Sequence, residues 1–111
     1  MTVSLARNYI LDENNRPVVC ENILEWSRWM ENNKFIKQTK TDSYFVSTVF
    51  LGIDHNWSGK GPPVLFECMI FADDDWADLA CQRYCTYDEA LEDHPRMILE
   101  AKRLMMERAL R

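Results

Sequence analysis

Two tracts, Tyr44 to Ile53 and Val64 to Phe71, are apolar at most positions, and a polar connection runs between them from Asp54 to Pro63. Both tracts are rich in β-branched and aromatic residues, a composition that fits strands buried on two faces. In the first tract Phe45, Ser47, Val49, Leu51 and Ile53 share one face, and Tyr44, Val46, Thr48 and Phe50 share the other. In the second, Phe66, Cys68 and Ile70 oppose Leu65, Glu67, Met69 and Phe71. This alternation predicts two neighbouring antiparallel strands with helices on one side. The second side is then either covered by an edge hairpin or left as a docking surface.

Shorter patterns flank this pair. Tyr9-Ile10-Leu11 and Pro17-Val18-Val19 enclose Asp12 to Arg16 and read as a hairpin, with Asn14-Asn15 able to take left-handed backbone. Pro17 cannot donate to a ladder, which places that hairpin at a sheet edge. From Glu21 to Met30 the period becomes helical, with Ile23, Trp26 and Met30 on one stripe, Leu24 and Trp29 beside it, and Asn32-Asn33 as the stop. Phe35 to Lys40 alternates loosely before a turn at Thr41-Asp42-Ser43. Ala72 to Asp78 reads as a turn and Leu79 to Cys85 as another strand.

Thr86-Tyr87-Asp88-Glu89 has the spacing of a capping box, in which hydroxyl and carboxylate satisfy free amides at a helix start. Beyond it Ala90, Leu91, His94, Ile98, Ala101 and Met105 recur on one stripe, and Pro95 predicts a kink or a second helix. The expected architecture is one α+β domain over residues 1–111, globular from about 8 to 108. It has an antiparallel meander sheet of about five to six strands with two helices packed on one face. Parallel winding is disfavoured because no helix separates the strands between Phe35 and Cys85.

A hydrophobic fraction of 47% beside 28% charged residues excludes wholesale disorder, and 111 residues suffice for one core without metal or disulfide staples. No apolar run approaches a membrane span, and MTVSLARNYI lacks a charged start followed by an apolar signal core. The expectation is a cytoplasmic protein. Cys81 and Cys85, four apart in an extended segment, would stand roughly 13 Å apart, too far to bridge. Cys20, Cys68, Cys81 and Cys85 also lack the paired Cys-x-x-Cys or histidine spacing of a zinc site, so mostly buried free thiols are expected and no cofactor is indicated.

The net charge of −5 hides an asymmetry: residues 1–95 hold sixteen acids against eight bases, residues 96–111 two against five. An acidic body disfavours direct nucleic-acid binding and favours a partner with a basic surface, although acidity also serves solubility. The basic end complements a helix dipole. Met97, Leu104, Met105 and Met106 widen its apolar stripe, which makes a homo-oligomer through residues 96–111 a reasonable expectation.

The segments Pro17-Val18-Val19 with Trp26 and Trp29, then STVFLGIDHNW, GPPVLFECMIF and RYCTYDEALEDH, resemble a group of small uncharacterised proteins encoded in bacteriophage and prophage genomes. The likeness covers roughly Tyr9 to Ile98. It implies a phage-derived accessory protein acting inside a bacterial host cell, and it carries no activity or catalytic residues with it.

Asp54-His55-Asn56 would suit a general base, but adjacent side chains point apart and no nucleophile or metal ligand is spaced to join them. Trp57, followed by Gly59, Gly61, Pro62 and Pro63, reads instead as an interface anchor on a defined loop. Asp73, Asp74, Asp75 and Asp78 offer carboxylates for a hard cation but lack the EF-hand pattern, so no metal site is assigned. With Asp88, Glu89, Glu92 and Asp93 they place eight acids between residues 73 and 93 against Arg83 alone, a display able to imitate nucleic-acid phosphates. His94 reads as a neutral imidazole bonded to the sheet, and of Trp26 and Trp29 one packs in the core while the other covers its edge.

The leading expectation is a non-enzymatic phage accessory protein that binds a host or defence protein. Its contact residues are Asp54, His55, Asn56, Trp57, Asp73, Asp74, Asp75, Trp76 and Asp78, with no direct nucleic acid and no membrane. The alternatives are a small enzyme or ligand-binding protein using the His55 loop, and a phage structural or assembly factor.

Overall fold

Tyr44 lies opposite Ala72 and Phe50 opposite Phe66, so the two central tracts pair antiparallel in unbroken register. The computed structural model describes residues 7–74 and 77–111. Residues 1–6, which open the stretch read as lacking a signal core, and Asp75 and Trp76 of the 72–78 turn lie outside the described residues. In chain order the elements are β1 (Tyr9–Leu11), β2 (Pro17–Val19), α1 (Ile23–Asn33), β3 (Phe35–Lys40), β4 (Tyr44–Phe50), β5 (Phe66–Ala72), β6 (Asp78–Tyr84) and α2 (Tyr87–Ala109).

The protein is α+β, but its strands form two sheets rather than one meander: β3-β4-β5-β6, all antiparallel, and a separate β1-β2 pair. Gly52 is the physical reason. Its φ of 75° ends β4 at Phe50, three residues short of the Ile53 expected, and turns the chain out of the ladder. The hairpin then attaches to this departing segment through Tyr9 N–H donating to Gly52 O at 2.8 Å and one bridge, Asn8 to Ile53. A single bridge does not extend a sheet. Within the hairpin, Asn15 takes the left-handed backbone at φ 61°.

Tyr44, Val46, Thr48 and Phe50 are buried together with Phe66, Cys68, Ile70 and Ala72, and α2 covers them with Ala90, His94, Met97 and Ala101. The small residues Ala90 and Ala101 let the helix approach the sheet closely. One cluster joins Tyr44, Val46, Cys68 and Ile70 to Met97 and Ala101. The other joins Leu11, Phe50, Leu65 and Phe66 to Ala90, with Trp29 and Met30 packed against it. Leu11 thus brings the hairpin to the helix side, so it does not cover the opposite face. There Phe45 stacks on Phe71 at 6.1 Å, beside half-buried Val49 and Met69.

α2 is one helix of 23 residues and no second helix begins at Pro95, which is exposed. The buried residues on both sides of the proline, Ala90 and His94 before it and Met97 and Ala101 after it, dock on one continuous sheet, and that packing outweighs the missing amide. α1 starts at an Asn22 side chain that accepts the amides of Leu24 and Glu25, and it runs to Asn33. Trp26 Nε1 donates to Gly52 O at 3.1 Å and Trp29 meets Phe50 edge-on at 5.5 Å. Ile23 and Leu24 stay exposed, so the expected stripe is anchored only by its C-terminal members. No described helix is long and apolar enough to cross a membrane. All four cysteines are free; Cys20 and Cys68 are buried, Cys85 is half-buried and Cys81 is exposed, so half rather than most of the thiols are shielded.

Candidate functional site

The loop joining β4 to β5 is tied to itself. Asp54 Oδ1 accepts the amides of Asn56 at 2.7 Å and Val64 at 2.9 Å, and His55 N–H donates to Val64 O at 2.9 Å, closing the base. Across the tip, the Asn56 amide donates to Lys60 O at 2.6 Å and Pro62 O at 2.9 Å, while its Oδ1 accepts the Ser58 hydroxyl at 2.6 Å. Gly59 and Gly61 hold φ of 75° and 83°, a conformation that explains why the tip uses two glycines. With these polar groups satisfied internally, Trp57 is the large side chain left outside, 72% exposed, its ring 5.3 Å from that of His55.

The same bonds decide the chemistry available to His55. Its Nδ1 sits 2.7 Å from Ile53 O; a carbonyl only accepts, so Nδ1 donates and is committed to that bond. Asp54 is turned to two backbone amides and does not orient the imidazole. The arrangement displays an aromatic pair on a stiff loop rather than a base with its carboxylate.

Comparison with protein-family models, curated proteins and solved structures gave no match to this chain.

The structure gathers Asp54, His55, Asn56 and Trp57 in one loop and sets Asp73, Asp74 and Asp78 at the far end of β5, whose seven residues span roughly 20 Å. Asp73 pairs with Lys40 at 3.8 Å and Asp74 with Arg108 at 3.6 Å, so two of these acids answer cations of the same molecule. Asp75 and Trp76 lie outside the described residues. The described acids of the 73–93 run are therefore divided between opposite ends of the sheet. Its second half is at the loop's end: Leu65 N–H donates to Tyr84 O at 3.2 Å, which sets the start of α2 beside the loop base. Burial first, then the charges of Glu89 and Asp54, push the Cys85 thiol up. Glu89 serves the cap, and Asp88 and Glu92 are exposed there. Among the described residues, no group of three or more His, Cys, Asp or Glu side chains is placed to hold a metal.

One cluster escaped the sequence reading. The Tyr84 hydroxyl donates to Asp93, whose carboxylate also receives Arg96 Nε at 2.5 Å and Nη2 at 2.8 Å. The Arg96 hydrogen bond, aided by that of Tyr84 and opposed by burial, holds Asp93 below the usual carboxylate range. Burial and then the neighbouring Asp93 push the Tyr84 phenol well above its ordinary value. Gln82, Glu89 and Glu92 complete an open groove of about 600 Å³ around them. The i, i+3 spacing of Asp93 and Arg96 was visible in the sequence, but the strand residue that joins them was not.

Proposed function

We propose that this chain is a non-enzymatic accessory protein of bacteriophage or prophage origin that binds a host or defence protein inside the bacterial cell. The Asp54–Pro63 loop is its contact, with Trp57 as the anchor. The observation that carries this reading is the exposure of Trp57, 72%, on a loop whose own hydrogen bonds fix its path. A preformed loop gives up little conformational entropy when it binds, and a large aromatic side chain entering a partner pocket is the kind of residue that dominates interface energetics.

Asp88 and Glu92, exposed at the adjoining start of α2, favour a partner whose rim is basic. The likeness of the STVFLGIDHNW and GPPVLFECMIF segments to phage proteins supports the origin, and four free thiols fit a reducing compartment. His55 completes the aromatic pair as a packing partner of Trp57.

The test is affinity capture from a bacterial host lysate with the wild type and a Trp57→Ala variant, followed by titration of the purified partner. The expected result is one specific partner, with Trp57→Ala weakening it by about 2 kcal/mol or more, roughly thirtyfold. A folded wild-type domain that retains no partner, or a partner held equally by Trp57→Ala, overturns the proposal.

A further inference from the structure

Along α2 and its last turn, Glu92, Arg96, Glu100, Arg103, Glu107 and Arg111 alternate in sign, at successive spacings of four, four, three, four and four. The spacing reads the same in both directions and the sign inverts. A helix carrying this row is therefore complementary to a second copy of itself laid antiparallel about the point between Ala101 and Lys102. Glu92 then stands opposite Arg111, Arg96 opposite Glu107 and Glu100 opposite Arg103, each pair occurring twice.

At about 100° per residue the row occupies one flank of the helix. Next to that flank, on the side turned away from buried Ala90, Met97 and Ala101, runs a stripe of Leu99, Met106 and Leu110, exposed by 65%, 67% and 86%. Leu110 is still in the right-handed region at φ −89°, ψ −4°, so the stripe continues through the last turn. In a two-fold antiparallel helix pair, residues on one flank of the contact stripe face the same flank of the partner. This is the geometry in which the row meets its own inverse.

Alternating charge also makes pairs within a helix, and Arg103 does bond Glu100 and Glu107 at 2.5 Å while Arg96 bonds Asp93. Such exposed pairs contribute little and give no reason for three large apolar side chains to stand in water beside them. A guanidinium has five donors and a carboxylate about four acceptor sites, so each can hold its intrahelical partner and one across an interface.

We propose that two copies of this chain associate through α2, antiparallel, burying Leu99, Met106 and Leu110 between them with the charged row self-paired along one side. One helix face is a small contact, so the pair forms reversibly. Because the Trp57 loop lies at the N-terminal end of α2, the antiparallel pair presents two loops at opposite ends of one particle. The pairing does not depend on the loop having a partner.

The test is sedimentation velocity on the full chain from low micromolar to near-millimolar concentration. Dimer is expected at the upper end, and a Leu99→Glu, Met106→Glu double variant with an unchanged far-ultraviolet circular dichroism spectrum is expected to stay monomeric. Glu100→Arg alone sets two guanidinium groups against each other at the pair that Glu100 makes with Arg103 of the second copy. Arg103→Glu alone sets two carboxylates together at the same place, so each variant is expected to dimerise at least several-fold more weakly than the wild type. Mixing the two variants should restore association, since every pair at this level then joins one cation to one anion. A wild type that remains monomeric near millimolar concentration overturns the proposal. So does a mixture that fails to recover, or a monomer that instead binds vesicles of phosphatidylcholine with phosphatidylglycerol through the same leucines.

Discussion

His94 on α2 and Thr48 on β4 are 46 positions apart in the chain, yet Nδ1 and Oγ1 stand 2.7 Å from each other with no exposure of the imidazole to solvent. Nε2 meets Thr39 Oγ1 on β3 at 2.8 Å, so one ring spans the edge strand and its neighbour.

Stability is expected to depend on this ring. Burial first, and then the charge of Lys37, lower the His94 pKa below the ordinary 6.5. The folded state therefore keeps His94 neutral where the unfolded chain takes up a proton. Above pH 6.5 its contribution is complete; as pH falls below that value stability declines, by up to about 1.4 kcal/mol per pH unit, until the lowered folded pKa is passed. Urea midpoints measured between about pH 7.5 and 5.5 should fall in the wild type and flatten in His94→Gln. His94→Ala, which strips the buried Thr48 hydroxyl and the half-buried Thr39 hydroxyl of their partner and leaves a cavity, should cost about 2–4 kcal/mol at neutral pH.

Gly52 is expected to tolerate no side chain. At φ 75° an added Cβ would lie 2.6 Å from Met30 Sδ and 3.1 Å from Trp26 Nε1, the group that bonds the Gly52 carbonyl. Gly52→Ala should destabilise by about 2 kcal/mol or more in chemical denaturation, from the left-handed backbone and the displaced α1 together. Tryptophan emission should shift to the red if α1 lifts from the turn.

The capping box at the start of α2 is complete: Thr86 Oγ1 accepts the Glu89 amide at 3.1 Å and Glu89 Oε1 accepts the Thr86 amide at 3.1 Å. Thr86→Ala should cost about 1 kcal/mol, read as a lower unfolding midpoint with no change in the denaturant slope.

Thiol reactivity should divide the cysteines. Exposed Cys81 and half-buried Cys85 should react with a thiol reagent in the native protein, and buried Cys20 and Cys68 only on unfolding. Burial, then the Glu67 carboxylate, raise the Cys81 pKa, and Cys85 is raised likewise, so native labelling should be slow near neutrality and accelerate above about pH 9. Equal labelling of all four cysteines in the folded protein would contradict the placement of Cys20 and Cys68.

The alternation of Tyr44 to Phe50 and Phe66 to Phe71 was enough to assign faces, because strand side chains invert at every residue and a burial pattern is local information. Thr86-x-x-Glu89 fixed a helix start for the same reason, since both partners lie within one turn. Asn15 and the glycines of the Asp54–Pro63 loop were legible because left-handed backbone restricts residue type. Gly52 was legible only as a glycine. That it would cut β4 short and divert the hairpin into its own sheet depends on Tyr9 and Met30, residues 43 and 22 positions away.

What the amino-acid order determined by itself is therefore what is set within a turn or a strand: element type, the cap of α2, which residues share a face of each central strand, and the Ala90, His94 and Ala101 part of the inward stripe of α2, whereas Leu91 of that stripe is exposed and Met97 beside it is buried. Only the tertiary structure decided which elements met. It split the described strands into sheets of two and four, sent Asp73, Asp74 and Asp78 to the opposite end from the acids at 88–93, and joined Tyr84 to the Asp93–Arg96 pair. The physical reason is that local rules act through neighbours whose separation the chain fixes covalently. Long-range pairing is selected by burial and hydrogen-bond satisfaction over the whole molecule, which no window of sequence contains.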